Sequence, residues 1–131
     1  MQGVPPSVNP RTGLRPHFSV CRRAGDLMFV SGQMALGPAF DIVGKDVGEQ
    51  TRTCLTYIGD HLKTVGLSLN DVAKTTVWLT RVEDFPAFND AYKAFFDGGP
   101  LPARSTVRAD LMIPGALVEI EAIALCKDIA P

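Results

Sequence analysis

The chain has 131 residues, near the commonest length of one domain and long enough to bury a core. Hydrophobic residues make up 46% and charged residues 21%, with a formal net charge of -1, so an unfolded polar chain is excluded and no single-sign field is available to attract nucleic acid or a membrane surface. Three widely spaced cysteines, Cys21, Cys54 and Cys126, with only His17 and His61 beside them, exclude a disulfide framework and a structural zinc site; each fits small-residue packing.

Residues 1–16 carry four prolines and two glycines, with turn signals at Asn9-Pro10 and Thr12-Gly13, and are expected to be extended or loop. This segment has no apolar stretch of the kind a secretory signal uses, and no run approaches the ~18 apolar residues of a membrane span, so a cytoplasmic protein is expected. Two short strands follow, Phe18–Arg23 and Leu27–Ser31, joined by Ala24-Gly25-Asp26 at hairpin length.

The spacing of Val47, Thr51, Cys54, Leu55, Ile58, Leu62 and Val65 draws one stripe at the 3.6-residue period and predicts a helix over 47–65. Asp46 with Glu49 forms a capping-box pattern at its start, and Gly66 suits the left-handed position at its end. After a turn at Ser68–Asp71, the β-branched and aromatic run Val72–Thr80 predicts a strand. A second helix begins after Asp84 as N-cap, tolerates Pro86 in its first turn, and carries an aromatic stripe of Phe85, Phe88, Tyr92 and Phe95 before the stop Asp97-Gly98-Gly99-Pro100. Strands over Arg104–Arg108 and Leu117–Cys126, separated by a turn at Ile113-Pro114-Gly115, complete the order β-β-α-β-α-β-β. The whole chain is one domain of the α+β class, a mixed sheet covered by two helices.

Two helices cover only one face of such a sheet. On the last strand Val118, Ile120, Ala122 and Ala124 share one parity, and Glu119, Glu121, Ile123 and Leu125 the other; on the central strand Trp78 shares parity with Lys74 and Thr76. Neither side is a plain solvent face, and a mixed face carrying large apolar groups predicts association between copies.

No dinucleotide loop, phosphate loop, nucleophile elbow or zinc-protease motif is present. The polar groups placed oddly for a packed strand end are Ser31-Gly32-Gln33 and Arg104-Ser105. Pro102-Ala103 sets an extended entry to Arg104, whose guanidinium is suited to gripping a carboxylate with two parallel hydrogen bonds; the plainer alternative is a salt bridge at a sheet edge. Glu119 and Glu121 leave one face of a strand roughly 7 Å apart and offer a base to activate water; the plainer alternative makes them partners of Arg104, Arg108 or Lys74. Asn89 is a site amide or a packing amide on the same terms.

Six strings in order, Leu27–Gln33 (LMFVSGQ), Gln50 before a long helix, Asp71–Val77 (DVAKTTV), Asp84–Phe96 (DFPAFNDAYKAFF), Pro102–Ser105 (PARS) and Val118–Ala124 (VEIEAIA), resemble the RidA family, also called the YjgF/YER057c/UK114 family of reactive-intermediate deaminases. The resemblance implies a chorismate-mutase-like fold in a homotrimer, its sheets forming an inner barrel with clefts between subunits. It implies hydrolysis of small carboxylate-bearing imines and enamines to 2-oxo acids and ammonia, with no cofactor or metal. Carried onto this chain, Arg104 would bind the substrate carboxylate and Glu119 would position or activate water. Ser31, Gly32, Asn89, Ser105 and Thr106 would line the cleft, and Phe18 would pack over the ligand. Two positions depart from the family pattern, Phe18 where tyrosine is frequent, which removes a hydroxyl donor, and Thr106 where cysteine is frequent; the N-terminal approach Arg15-Pro16-His17 also differs from the usual Gly-Pro. Two alternatives stay open at this level: a dedicated catabolic deaminase of a larger enamine, such as an aminomuconate or aminoacrylate derivative, and a trimeric metabolite-binding or protein-interaction module without turnover. Ribonuclease activity, also attached to the family, is disfavoured by the weak net charge and the lack of a basic aromatic platform.

Overall fold

A computed structural model describes residues 5–126; residues 1–4, the start of the expected N-terminal loop, lie outside it. Between 5 and 20 no strand or helix forms, and the backbone turns at Asn9–Leu14, closed by Gly13 N–H donating to the Asn9 carbonyl at 2.8 Å with Gly13 at φ +73°. Five strands and two helices follow in the expected order: β1 (Cys21–Ala24), β2 (Leu27–Gln33), α1 (Val47–Thr64), β3 (Val72–Leu79), α2 (Phe85–Phe96), β4 (Ala103–Arg108) and β5 (Val118–Leu125). They build one mixed sheet in the spatial order β1-β2-β5-β3-β4, antiparallel throughout except for the parallel pair β3 and β4. The parallel pairing follows from the chain: α2 crosses between β3 and β4, as parallel neighbours require.

Both helices pack on one face. Val47, Cys54, Leu55, Ile58 and Leu62 of α1 and Phe88, Tyr92 and Phe96 of α2 bury against Met28, Val30, Val77, Leu79, Val118 and Ile120. The buried aromatic at the end of α2 is therefore Phe96, with Phe95 only partly covered, because the helix turns by 100° per residue and a step of four from Tyr92 stays closer to the core than a step of three.

Capping differs in detail from expectation. Asp46 does accept the Glu49 N–H at 2.9 Å, but the Glu49 carboxylate reaches one residue further back, to Lys45 N. The Asp84 carboxylate accepts no capping bond from α2; it accepts two bonds of 3.0 Å from the Arg81 guanidinium, a competitor that a helix-start pattern does not reveal. The end of α1 follows the Schellman pattern, Leu67 N–H reaching Leu62 O at 2.9 Å and Gly66 standing at φ +80°. Strand β1 begins at Cys21, so Phe18 lies ahead of the strand into which its apolar character had placed it; its ring is 62% exposed and finds no core to enter.

The face away from the helices is open. Leu27 and Phe29 of β2, Lys74, Thr76 and Trp78 of β3, Ser105 and Val107 of β4, and Glu119, Glu121, Ile123 and Leu125 of β5 lie on it by register and parity. Leu27, Phe29, Val107 and Leu125 are exposed there.

Candidate active site

Arg104 sits on edge strand β4 opposite Thr75, so its side chain leaves on the helix-covered side. Its guanidinium carbon lies 4.8 Å from the Tyr92 ring centre, 5.2 Å from Phe88 and 5.8 Å from Phe85, within cation-π range of three aromatics on α2. Nη2 donates to Asn89 Oδ1 at 2.8 Å. Tyr92 is itself fixed by a 2.8 Å hydrogen bond to buried Thr75. Burial raises the Tyr92 phenol above its ordinary pKa against opposing contributions from Thr75 and the Arg104 charge, so it stays a neutral wall. The aromatic stripe thus has two uses: its inner side is core and its outer side holds a cation.

Glu119 sits on β5 opposite Trp78 and faces the open side. Burial lifts its carboxyl above the usual carboxylate range, and the Glu121 charge two residues along adds to the rise. Gly32 lies against it in a register shift between Val30 and Gln33; a Cβ at Gly32 would stand 3.0 Å from the Glu119 carboxyl carbon and closer still to Oε2. Ser31 anchors the approach to β1, its N–H donating to Val20 O at 2.8 Å and its hydroxyl to Ser19 O at 2.6 Å, one residue from Phe18.

The expected site residues therefore fall into two groups. Arg104, Asn89 and Thr106 belong to the helix side of β4, while Ser31, Gly32 and Glu119 belong to the open side of β2 and β5; the Ser105 side chain is also on the open side, and Phe18 is exposed next to the Ser31 anchor. One chain holds the cation and the carboxylate on opposite sides of its sheet. Salt-bridge partnership within the chain is excluded among the described residues, where the ion pair is Arg81–Asp84 and neither glutamate pairs with Arg104, Arg108 or Lys74. Cys54, whose thiol pKa is raised by burial and further by the Glu119 charge, lies inside α1 and donates toward Val118 O; Cys21 points its thiol at His61 O, so neither cysteine joins either group.

Sequence reasoning passed over Phe85, Phe88 and Tyr92 as site residues. Their steps of three and four are the ordinary signature of core, and only the register that lays β4 beneath α2 shows the cation against their rings. The pairing of Glu121 with Glu119 was legible from its spacing; Gly32 entered only through the family resemblance, because a close approach across a bulge has no local signal.

Comparison with known proteins agrees. The family model described as Endoribonuclease L-PSP matches residues 12–126. A RutC family protein of Pyrococcus horikoshii is 40% identical over 108 residues, covering 82% of this chain and 85% of that one. The 2-iminobutanoate/2-iminopropanoate deaminase of Mus musculus is 39% identical over 99 residues, covering 75% and 73%. Among solved structures, E. coli TdcF with bound serine superposes with a TM-score of 0.78 at 33% identity, covering 86% of this chain and 90% of that one, and the Rid family protein YyfA of Yersinia pestis with 0.80 at 32%, covering 91% and 93%. With its motifs, strand order and nearly full-length matches in agreement, the chain belongs to the RidA (YjgF/YER057c/UK114) family.

Proposed function

We propose that the protein hydrolyses reactive 2-imino and 2-enamino acids to 2-oxo acids and ammonia, in clefts between the subunits of a homotrimer in the cytoplasm. The observation that carries this reading is the division of Arg104 and Glu119 between opposite sides of one sheet: each is built into place, and each lacks the other. A neighbouring copy whose open face meets the helix-side edge of β4 supplies the missing half. Relatives named as 2-iminobutanoate/2-iminopropanoate deaminases, and a relative solved with the amino acid serine bound, support a small carboxylate-bearing ligand.

In this arrangement the Arg104 guanidinium, with one N–H committed to Asn89, directs its remaining donors at the substrate carboxylate. The C=N carbon then lies near Glu119 of the neighbouring copy. Glu119 removes a proton from water as the water oxygen bonds to that carbon and passes it to the nitrogen, giving a neutral carbinolamine. The same carboxylate then takes the carbinolamine hydroxyl proton as the carbonyl forms and delivers it to the nitrogen as the C–N bond breaks and ammonia leaves. A carboxylate with a raised pKa is a stronger base toward water than an ordinary one, and it holds the proton long enough to hand it on to nitrogen. Ser31 and the backbone at Gly32 and Ser105 line the cleft, Thr106 flanks Arg104, and Phe18 packs over the ligand. The imine is already electrophilic, so the reaction asks for orientation and proton transfer only.

The name of the matching family model denotes an endoribonuclease, but a net charge of -1 supplies no single-sign field to attract RNA phosphates. The test is subunit complementation. Arg104→Ala and Glu119→Gln chains, each inactive alone on freshly generated 2-aminoacrylate, are co-refolded in equal amounts; a random trimer then contains intact clefts in about one quarter of positions, and ammonia release returns toward that fraction of wild type. No recovery in a properly mixed trimer rejects the shared site, and wild type no faster than buffer rejects the activity.

A further inference from the structure

A trough of about 160 Å³ runs beside Arg104, lined by Leu79, Val82, Phe85, Thr106, Val107 and Arg108. Phe85 is common to both: one of its faces is 5.8 Å from the Arg104 guanidinium carbon, and the ring also walls the trough. Thr106 and Arg108 share the parity of Arg104 on β4, which places the two arginines on the same side of the strand about 13 Å apart at their Cα atoms. Val82 and Phe85 are exposed apolar groups on this side, so the middle of the trough favours hydrocarbon. Arg108 at its far end has no ion pair among the described residues. Arg108 belongs to the trough's lining, while Arg104 lies outside it, next to the shared Phe85 ring and on the same side of β4 as Thr106.

We infer that this trough is the side-chain subsite of the deaminase and that it selects dicarboxylic 2-imino acids, the reacting end held by Arg104 and the distal carboxylate by Arg108. The assignment rests on the deaminase reading above and narrows it to a substrate class. Its volume equals that of about five water molecules at ~30 Å³ each, room for a short side chain ending in a carboxylate. A substrate with a methyl side chain leaves the channel wetted and Arg108 unmatched. A neutral chain of similar length fills the hydrocarbon part but brings no anion to the guanidinium, and a charge-assisted hydrogen bond is the larger part of the difference.

The experiment compares two imines of similar length on the assembled protein: 2-iminoglutarate, generated from L-glutamate by an oxidase, and 2-iminohexanoate, generated from L-norleucine in the same way with catalase present. Trapping of residual imine by semicarbazide reads the rate. Wild type is expected to show kcat/KM at least about tenfold higher for 2-iminoglutarate, as one good charge-assisted hydrogen bond predicts. Arg108→Gln is expected to lower that ratio to near one, and Arg108→Lys to keep part of it. Equal kcat/KM values in wild type, or an Arg108→Gln effect of equal size on both substrates, overturns the assignment while leaving the deaminase reading intact. A change of oligomeric size in Arg108→Gln overturns it too, since the trough is then covered by a neighbouring chain and not by substrate. Acceleration of neither imine fails the deaminase reading itself.

Discussion

Arginine at position 104 is held by shape as much as by charge. Three rings and an amide surround a flat guanidinium, and a lysine ammonium, compact and strongly hydrated, reproduces neither the stacking nor the paired donors. Arg104→Lys is therefore expected to lose about 10²-fold or more in kcat/KM, by analogy with the cost of misplacing a substrate by about 1 Å, with circular dichroism and size unchanged; a kinetically normal Arg104→Lys enzyme would show that charge alone suffices. In the proposed reaction Glu119 acts as a base in its ionised form, so kcat/KM is expected to fall as pH drops through its raised pKa, at a higher pH than an ordinary carboxylate would set. The Glu121 charge is one cause of the rise, so Glu121→Gln moves that acid limb to lower pH, and a pH–rate profile of the two proteins checks the direction.

Between elements, buried Gln50 is the main polar tie. Its amide nitrogen donates to Gly44 O at 3.1 Å and Gly115 O at 3.2 Å, and its oxygen accepts from Leu117 N at 2.9 Å, two residues before Glu119. One side chain on α1 thus secures both the loop entering that helix and the chain entering β5. Gln50→Ala leaves these backbone groups without partners in a place water reaches poorly, at a cost of about 1–3 kcal/mol per stranded group, and urea unfolding should show a lower midpoint with little change in slope. Gln50, one of the elements that resembled the family, is here explained by packing, not by chemistry. Helix α1 was fully legible from its stripe because a long amphipathic period leaves few other solutions. Strand β1 was not, since four residues at an edge carry too little pattern to mark where pairing begins.

At the scale of the whole molecule, the open sheet face is the feature that one chain leaves unresolved. Phe29 is 41% exposed and Val107 50% exposed on a face that also bears Trp78 and Ile123, an apolar area of the kind that marks an interface. Placing a charge there, as in Phe29→Glu, should dissociate the assembly in sedimentation analysis and abolish imine hydrolysis, while the helix-side core keeps the monomer folded. Retained activity in a dissociated chain would contradict a cleft shared between copies.

Local pattern alone determined the element order, the two amphipathic helices, the alternation along β5 and the family strings, because each depends on residues within a few positions of one another. It also named Arg104 and Glu119, each by its residue type and neighbours. Only the tertiary structure decided that β4 joins the sheet parallel to β3 at an edge and β5 runs through its middle, which turns one side chain under α2 and the other away from it. Which face a strand residue occupies depends on long-range register, and a shift by one position exchanges the faces without changing the local sequence at all.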